Sequence, residues 1–387
     1  MSFENKYNEK ITKIAVSDIR QFDGEVSVLP NIIKLTLGEP DFNTPEHIKK
    51  AAIKAIEDDK SHYTPNAGIP ELRDATAAYF NKKYNLHYKG SQVITTIGAT
   101  EGIQAATQTV LNPGETVLVP TPIFPIYMSD AEINGGSYVA IDTSADGFKL
   151  TPERLQKEID EHDNVKMLAF NYPCNPTGVT YSREELEALA DVARKAGIWV
   201  LSDEIYSELT YTQKHISMAE VLPEQTILIS GLSKSHAMTG WRIGFIFGPQ
   251  EFIDQAVKSH QYMVTAPTTN CQYAALEAMT NGENDSKPMR EEYAKRRDYL
   301  KEKLEEVGFT MASPDGAFYL FAKIPSTCKQ NSWDFVRDLA QKARVALIPG
   351  ISFGPGGEGY VRISYAASMD KIKEAARRIQ KYVKDQQ

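Results

Sequence analysis

Basic residues are not in excess in this chain of 387 residues: 43 lysines and arginines face 51 aspartates and glutamates, a formal net charge of −8. A partner held through phosphate backbones needs a cationic footprint, so nucleic-acid binding is set aside. Cysteine is scarce, at Cys174, Cys271 and Cys328 only, with no CxxC pair. That excludes a disulfide framework and a cysteine-built zinc site, and suits a reducing compartment. The seven histidines show no HxxxH spacing, so no metal centre is legible either. No apolar run approaches the ~18 residues of a membrane span. The opening MSFENKYNEKITK is polar and charged, unlike a secretory signal. What remains is a cytoplasmic globular protein, long enough that two domains are expected.

No internal repeat or low-complexity segment interrupts the chain. From about residue 90, strand-like and helix-like segments alternate. QVITTIG (92–98) runs into a helical pattern, GATEGIQAATQTVL; TVLVP (116–120), SYVAID (137–142) and VKMLAF (165–170) follow as short apolar runs. SREELEALADVARKAG (182–197) carries a helix's own punctuation: Ser182 as N-cap, Glu185 three later as in a capping box, Gly197 as stop. IWVL (198–201) and TILIS (226–230) are two more strands. The alternation predicts an α/β domain with a mostly parallel sheet flanked by helices. After it, a charged helix at roughly 286–306, a hairpin in FTMASPDGAFYLFAKI, a helix at 332–342, strands ALIP and YVRISYA and a final helix from Met369 predict a smaller α+β domain. The expected division is 1–45 as an N-terminal segment packing with the small domain, 46–285 as the large domain, and 286–387 as the small one.

In open α/β sheets ligands bind beyond the carboxyl ends of the strands. Five predicted ends carry polar or aromatic groups. They offer Ala99-Thr100 at a helix N-terminus, able to hold a phosphate; Phe124 between prolines; Asn175 in NYPCNPTG; Asp203 and Tyr206 in SDEIY; and Ser233 and Lys234, with Arg242 opening the next apolar run. Singly each has a plain explanation: an aspartate after a strand is usually a turn residue, and Asn-Pro is a common turn. Together they form a kit for a flat aromatic cofactor bearing one phosphate and one aldehyde. The phosphate takes the helix N-terminus and Arg242, the ring stacks on Phe124, an aspartate holds the ring nitrogen protonated, and a lysine forms a Schiff base. That cofactor is pyridoxal 5′-phosphate.

The chain resembles the class I/II (fold type I) aminotransferases over essentially its whole length. The resemblance is carried by LGEPDF (37–42), HYTPNAGIPELR (62–73), GATEG (98–102), PTPIFPIY (120–127), NYPCNPTGV (171–179), SDEIY (202–206), SKSHAMTGWRIG (233–244) and YVRISYA (360–366). Within that family it looks most like the bacterial aminotransferase A, N-acetyl-diaminopimelate and aromatic aminotransferases. The resemblance implies a fold type I transferase in which Lys234 is the Schiff-base lysine and proton shuttle. Asp203 pairs with the ring nitrogen, Tyr206 and Asn175 bind the ring hydroxyl oxygen, and Phe124 stacks on the ring. Ala99, Thr100, Ser233 and Arg242 serve the phosphate, with Tyr63 reaching across a homodimer interface to the partner's phosphate. Arg362 grips the substrate α-carboxylate, and Gly38 lets the N-terminal segment close. One departure stands out: many relatives carry a serine three before the lysine, where this chain has Gly231, so either Ser230 or Ser233 compensates or one phosphate hydrogen bond is missing. N-acetyl-diaminopimelate or an aromatic amino acid are the candidate substrates, with Arg20 and residues of 11–22 as candidate pocket groups.

Other motifs are weaker. GPGGEG (354–359) has the GxGxxG spacing, yet it precedes a strand and contains Pro355, so a dinucleotide site is rejected in favour of a loop near Arg362. His236 beside Lys234 is read as a supporting neighbour, since the lysine itself supplies the base. Ser233-Lys234 lacks the SxxK or GxSxG context of a hydrolase. A C–S lyase on the same fold is the enzyme alternative, and a cofactor-binding regulator the non-enzyme one.

Overall fold

The computed structural model describes residues 6–386. Thirteen strands are present among them: β1 (Ile33–Lys34), β2 (Val93–Ile97), β3 (Thr116–Thr121), β4 (Ser137–Asp142), β5 (Val165–Asn171), β6 (Trp199–Asp203), β7 (Thr226–Gly231), β8 (Ile243–Phe247), β9 (Thr310–Met311), β10 (Tyr319–Lys323), β11 (Val345–Ala346), β12 (Ile348–Pro349) and β13 (Tyr360–Ser364). Seven form one sheet in the order β2-β8-β7-β6-β5-β3-β4. All its pairings are parallel except those of β8 with β2 and β7. The apolar runs are uninterrupted because helices cover both faces. Val117, Val119, Ile227 and Ile229 pack with Ile103 and Ala106 of helix Gly98–Val110. On the opposite face, Leu118, Leu168 and Val200 meet Leu186 and Leu189 of helix Arg183–Ala196.

That second helix forms as its punctuation predicts. Ser182 Oγ accepts from Glu185 N at 3.2 Å, Glu185 Oε2 accepts from Ser182 N at 2.7 Å, and Gly197 ends the helix in the left-handed region at φ 67°.

A second, four-stranded antiparallel sheet runs β12-β13-β10-β9, while β1 pairs in parallel with β11. The chain leaving β1 stays on this sheet: Leu35 N donates to Ala346 O, and Ser364 N donates to Leu35 O. Further on, Asp41 is held by Arg296 Nη1 at 2.8 Å. Residues 35–41 thereby form a strap on the smaller sheet, and its Gly38 O accepts from Lys234 just beyond β7 of the larger one. The helix Glu9–Lys13 touches helix Ile126–Ile133 beside the larger sheet, and Phe22 packs edge-on to Trp333.

Candidate active site

Because β2, β3, β5, β6 and β7 run the same way, their carboxyl ends share one edge, and β8, running opposite, begins there. Register therefore gathers residues from 98 to 242. At β2's end, Gly98 has φ 74°, and a Cβ on it would lie 2.3 Å from Arg242 Nη2, so the guanidinium rests on the first turn of helix Gly98–Val110. Gly244 on β8 allows this approach: a Cβ there would meet Ala99 N at 2.5 Å. Arg242 itself is left-handed (φ 54°), an uncommon conformation for a non-glycine residue, and its Nη1 donates to Thr239 O at 2.9 Å. Ala99 is partly buried, Thr100 exposed, and Phe124, just beyond β3, keeps an exposed ring.

Asp203 ends β6 in the interior. Its Oδ2 accepts from Tyr127 Oη at 2.6 Å and its Oδ1 from Ile205 N at 3.1 Å. Burial raises its pKa to about 6; the Tyr127 and Ile205 hydrogen bonds oppose that rise. Asn171, at the end of β5, ties the neighbouring strand end to this one: its Nδ2 donates to Asp203 O and its Oδ1 accepts from Asn175 N.

Lys234 lies in a one-turn helix, Leu232–Ser235, directly after β7. Its ammonium donates to Gly38 O and stands 5.9 Å from the Tyr206 ring centroid and 5.8 Å from that of Phe318. Burial lowers its pKa to about 8; Glu39 opposes the shift, while Arg242 and Arg362 add to it. His236 is buried, with Ser235 Oγ on Nδ1 at 2.8 Å and Gly282 O on Nε2 at 3.1 Å, and burial lowers its pKa. At Gly231 a Cβ would meet Ile243 O at 2.8 Å and Gly244 Cα at 3.0 Å. The room a serine would need is filled by β8. Ser230 lines a small cavity with Tyr84, Ser207 and Glu208, and Ser233 is buried one residue before the lysine.

The smaller sheet contributes Arg362 from β13, 2% exposed. Its Nη1 donates to Asn175 Oδ1 at 2.9 Å and its Nη2 to Thr36 O at 2.5 Å, while Nε is buried with no partner. Tyr319 and Phe353 present their rings to the guanidinium, at 4.6 and 5.0 Å. Phe353 precedes the glycine-rich 354–359 loop, where a Cβ on Gly354 would contact Thr121 at the end of β3.

Lys234, Asp203, Tyr206, Asn175, Arg242, Arg362 and Gly38 thus converge, together with Thr36, whose carbonyl meets Arg362 across 326 positions. Tyr63 is 91% exposed, and Arg20 is also exposed. Phe22, expected as a pocket candidate, is instead 1% exposed in the core. Sequence reasoning missed Tyr127, Asn171 and Tyr319. Tyr127 and Asn171 lay inside the motifs PTPIFPIY and NYPCNPTGV; Tyr319 lay in an apparently apolar hairpin strand.

Residues 30–379 match the family described as aminotransferase class I and II. The chain is 46% identical over 381 residues to the "Probable N-acetyl-LL-diaminopimelate aminotransferase" of Bacillus subtilis (strain 168), covering 98% of this chain and 96% of that protein. It is 40% identical over 378 residues to an aspartate aminotransferase of Pyrococcus horikoshii, with 96% of each covered. Among solved structures, aspartate aminotransferase from Thermus thermophilus with maleate superposes with a TM-score of 0.92 at 36% identity, over 97% of this chain and 99% of that one. The aromatic aminotransferase of Pyrococcus horikoshii OT3 gives a TM-score of 0.88 at 37% identity, over 94% and 99%.

Proposed function

The chain belongs to the class I and II aminotransferases, pyridoxal-phosphate-dependent enzymes, and on that premise we propose how its side chains divide the work and what it acts on. The residues suit the cofactor: a lysine of lowered pKa, a buried acid, a guanidinium laid on a helix N-terminus and an exposed aromatic ring. When bound, pyridoxal phosphate supplies an aldehyde and an electron-withdrawing ring that takes up the electron pair left when a substrate α-proton departs. Lys234, with its pKa near 8, keeps part of its amine unprotonated at neutral pH, so Nζ takes the proton from substrate Cα and returns it. Asp203 keeps a proton on the ring nitrogen; Tyr206 and Asn175 donate to the ring oxygen, and Phe124 covers the ring face. Ala99, Thr100, Ser233 and Arg242 hold the phosphate, joined by Tyr63 of a second copy in a cytoplasmic homodimer. Arg362 receives the α-carboxylate in fork geometry, and the strap at Gly38 closes over it.

One observation carries the reading. A buried arginine with an unpaired N–H and a lysine of lowered pKa are tied to one strap, through Thr36 O and Gly38 O. An unpaired buried N–H is costly unless a ligand completes it, and an α-amino acid brings that carboxylate together with the Cα the lysine must reach. Each relative compared above is named an aminotransferase, which does not favour the C–S lyase alternative. For substrate, the 46% relative supports N-acetyl-LL-diaminopimelate ahead of an aromatic amino acid. The test is a donor panel against several 2-oxo acids, with initial rates at varied donor and acceptor. Parallel double-reciprocal lines, and the highest kcat/KM for N-acetyl-LL-diaminopimelate, are expected. A phenylalanine or tyrosine preference overturns the substrate, and pyruvate release from cystathionine without an acceptor overturns the reaction.

A further inference from the structure

Tyr319 sits where the two halves of the proposed site meet, and no motif marked it. It is fully buried on β10, in register with Ser364 of β13 and diagonal to Arg362 on the same sheet face. Its ring lies 4.6 Å from the Arg362 guanidinium. Its hydroxyl is 2.8 Å from Tyr206 Oη, the single side-chain hydrogen bond Tyr319 makes among the described residues. The same hydroxyl occupies the space a side chain at position 38 would need, 2.6 Å from a Cβ built on Gly38.

We propose that Tyr319 is a positioning residue: its hydroxyl donates to Tyr206, fixing Tyr206 as the donor to the cofactor's ring oxygen, while its ring holds Arg362 for the substrate carboxylate. This rests on the roles given above to Tyr206 and Arg362. A phenol has one proton to give. If Tyr206 gives its proton to the ring oxygen, the 2.8 Å contact is a hydrogen bond only if Tyr319 is its donor. The guanidinium over the Tyr319 ring has no lone pair to accept that proton, and its positive charge makes the phenol a better donor. The charged and titratable groups around the pair are Asp203 at the end of β6, Lys234 over the Tyr206 ring, Tyr127 on Asp203, and Arg362 on β13. None of them offers Tyr319 a second hydrogen-bond acceptor.

Two variants separate the hydroxyl from the ring in the holoenzyme. A donor on the ring oxygen favours the form of the cofactor that has lost its neighbouring proton, so a weaker donor raises the pH midpoint of the visible band. Tyr319→Phe should raise that midpoint by about half a pH unit, with KM for amino and oxo acids unchanged. Tyr319→Leu should give the same spectral shift and also raise KM at least about threefold for both substrates. Tyr206→Phe is the benchmark, with a larger upward shift, and Gly38→Ala, which displaces the hydroxyl, should resemble Tyr319→Phe spectrally. If Tyr206→Phe moves the midpoint while Tyr319→Phe leaves or lowers it, the hydrogen bond runs the other way and the proposal is overturned, with the Tyr206 role intact. If Tyr206→Phe moves nothing, the Tyr206 role falls and takes the proposal with it. A KM change in Tyr319→Phe as large as in Tyr319→Leu would remove the assigned role of the ring.

Discussion

Lys234 is a lysine placed against its own solvation preference, between the Tyr206 and Phe318 rings, and its pKa near 8 is the physical trace. Borohydride reduction of the holoenzyme followed by peptide mapping should place the cofactor adduct on Lys234. Lys234→Ala should still bind the cofactor and lose turnover by ~10² to 10⁴ or more, the range of general acid–base catalysis. An adduct on another lysine, or near wild-type transfer by the mutant, removes the role. The same burial has a cost in the cofactor-free protein. The folded state holds the Lys234 proton less tightly than the unfolded chain does, so this residue's contribution is favourable above pH 10.5 and is lost as pH falls through about 8. Asp203 behaves oppositely: its pKa is raised from 3.8 to about 6, so its contribution is favourable below about 4 and is lost as pH rises through 6. Both residues are therefore unfavourable near pH 7, Lys234 by on the order of 3 kcal/mol. Cofactor-free Lys234→Met should melt a few degrees above cofactor-free wild type at pH 7, with the gap closing toward pH 10. Equal melting temperatures would show that the amine is solvated after all.

Close backbone approach is the main device at the scale of elements, and it sets what the sequence could reveal. β8 can lie against the start of helix Gly98–Val110 because Gly244 has no side chain, and the same approach seats Arg242 on Gly98. Gly244→Ala should push the helix N-terminus away and lower cofactor affinity at least tenfold, about 1.4 kcal/mol, measured by titrating cofactor into apoprotein. Unchanged affinity would show that the approach does not matter for the phosphate. Local signals such as the Ser182–Glu185 box and Gly197 were legible because their partners lie within a few residues. Each large-sheet strand read from its apolar run ends within two residues of its predicted bounds, since burial on both faces leaves a continuous apolar run. The opposite direction of β8 was not legible, because an apolar run carries no polarity. Nor was the one-turn helix holding Lys234, too short for any periodicity. Tyr127 and Tyr319 stayed hidden for a different reason: their hydrogen bonds cross 76 and 113 positions, and a tyrosine in an apolar run looks like core until its hydroxyl's partner is known.

For the whole molecule, the open question is whether one chain is a complete enzyme. The proposed dimer says it is not, and Tyr63 carries that claim. It is 91% exposed although its loop is pinned on both sides: Thr269 Oγ1 donates to His62 O at 2.9 Å and Gln272 Nε2 to Thr64 Oγ1 at 2.9 Å. A fixed backbone holding out a bare aromatic ring suits a contact outside the chain, and Tyr262, 87% exposed, is another large ring left uncovered. Two-fold dimers are the commonest assemblies, and in one the same patch serves both copies. Subunit exchange between Lys234→Ala and Tyr63→Asp tests the sharing directly. In a hybrid, one site collects both defects, while the other takes Lys234 from one chain and Tyr63 from its partner. Random exchange of equal amounts makes about half the dimers hybrid with one sound site each, so activity should recover to about a quarter of wild type. If Tyr63 and Lys234 served the same chain's site, every site in every dimer would carry one defect and mixing would rescue nothing. A mass-verified hybrid no more active than its parents would assign Tyr63 to its own chain and end the shared-site proposal.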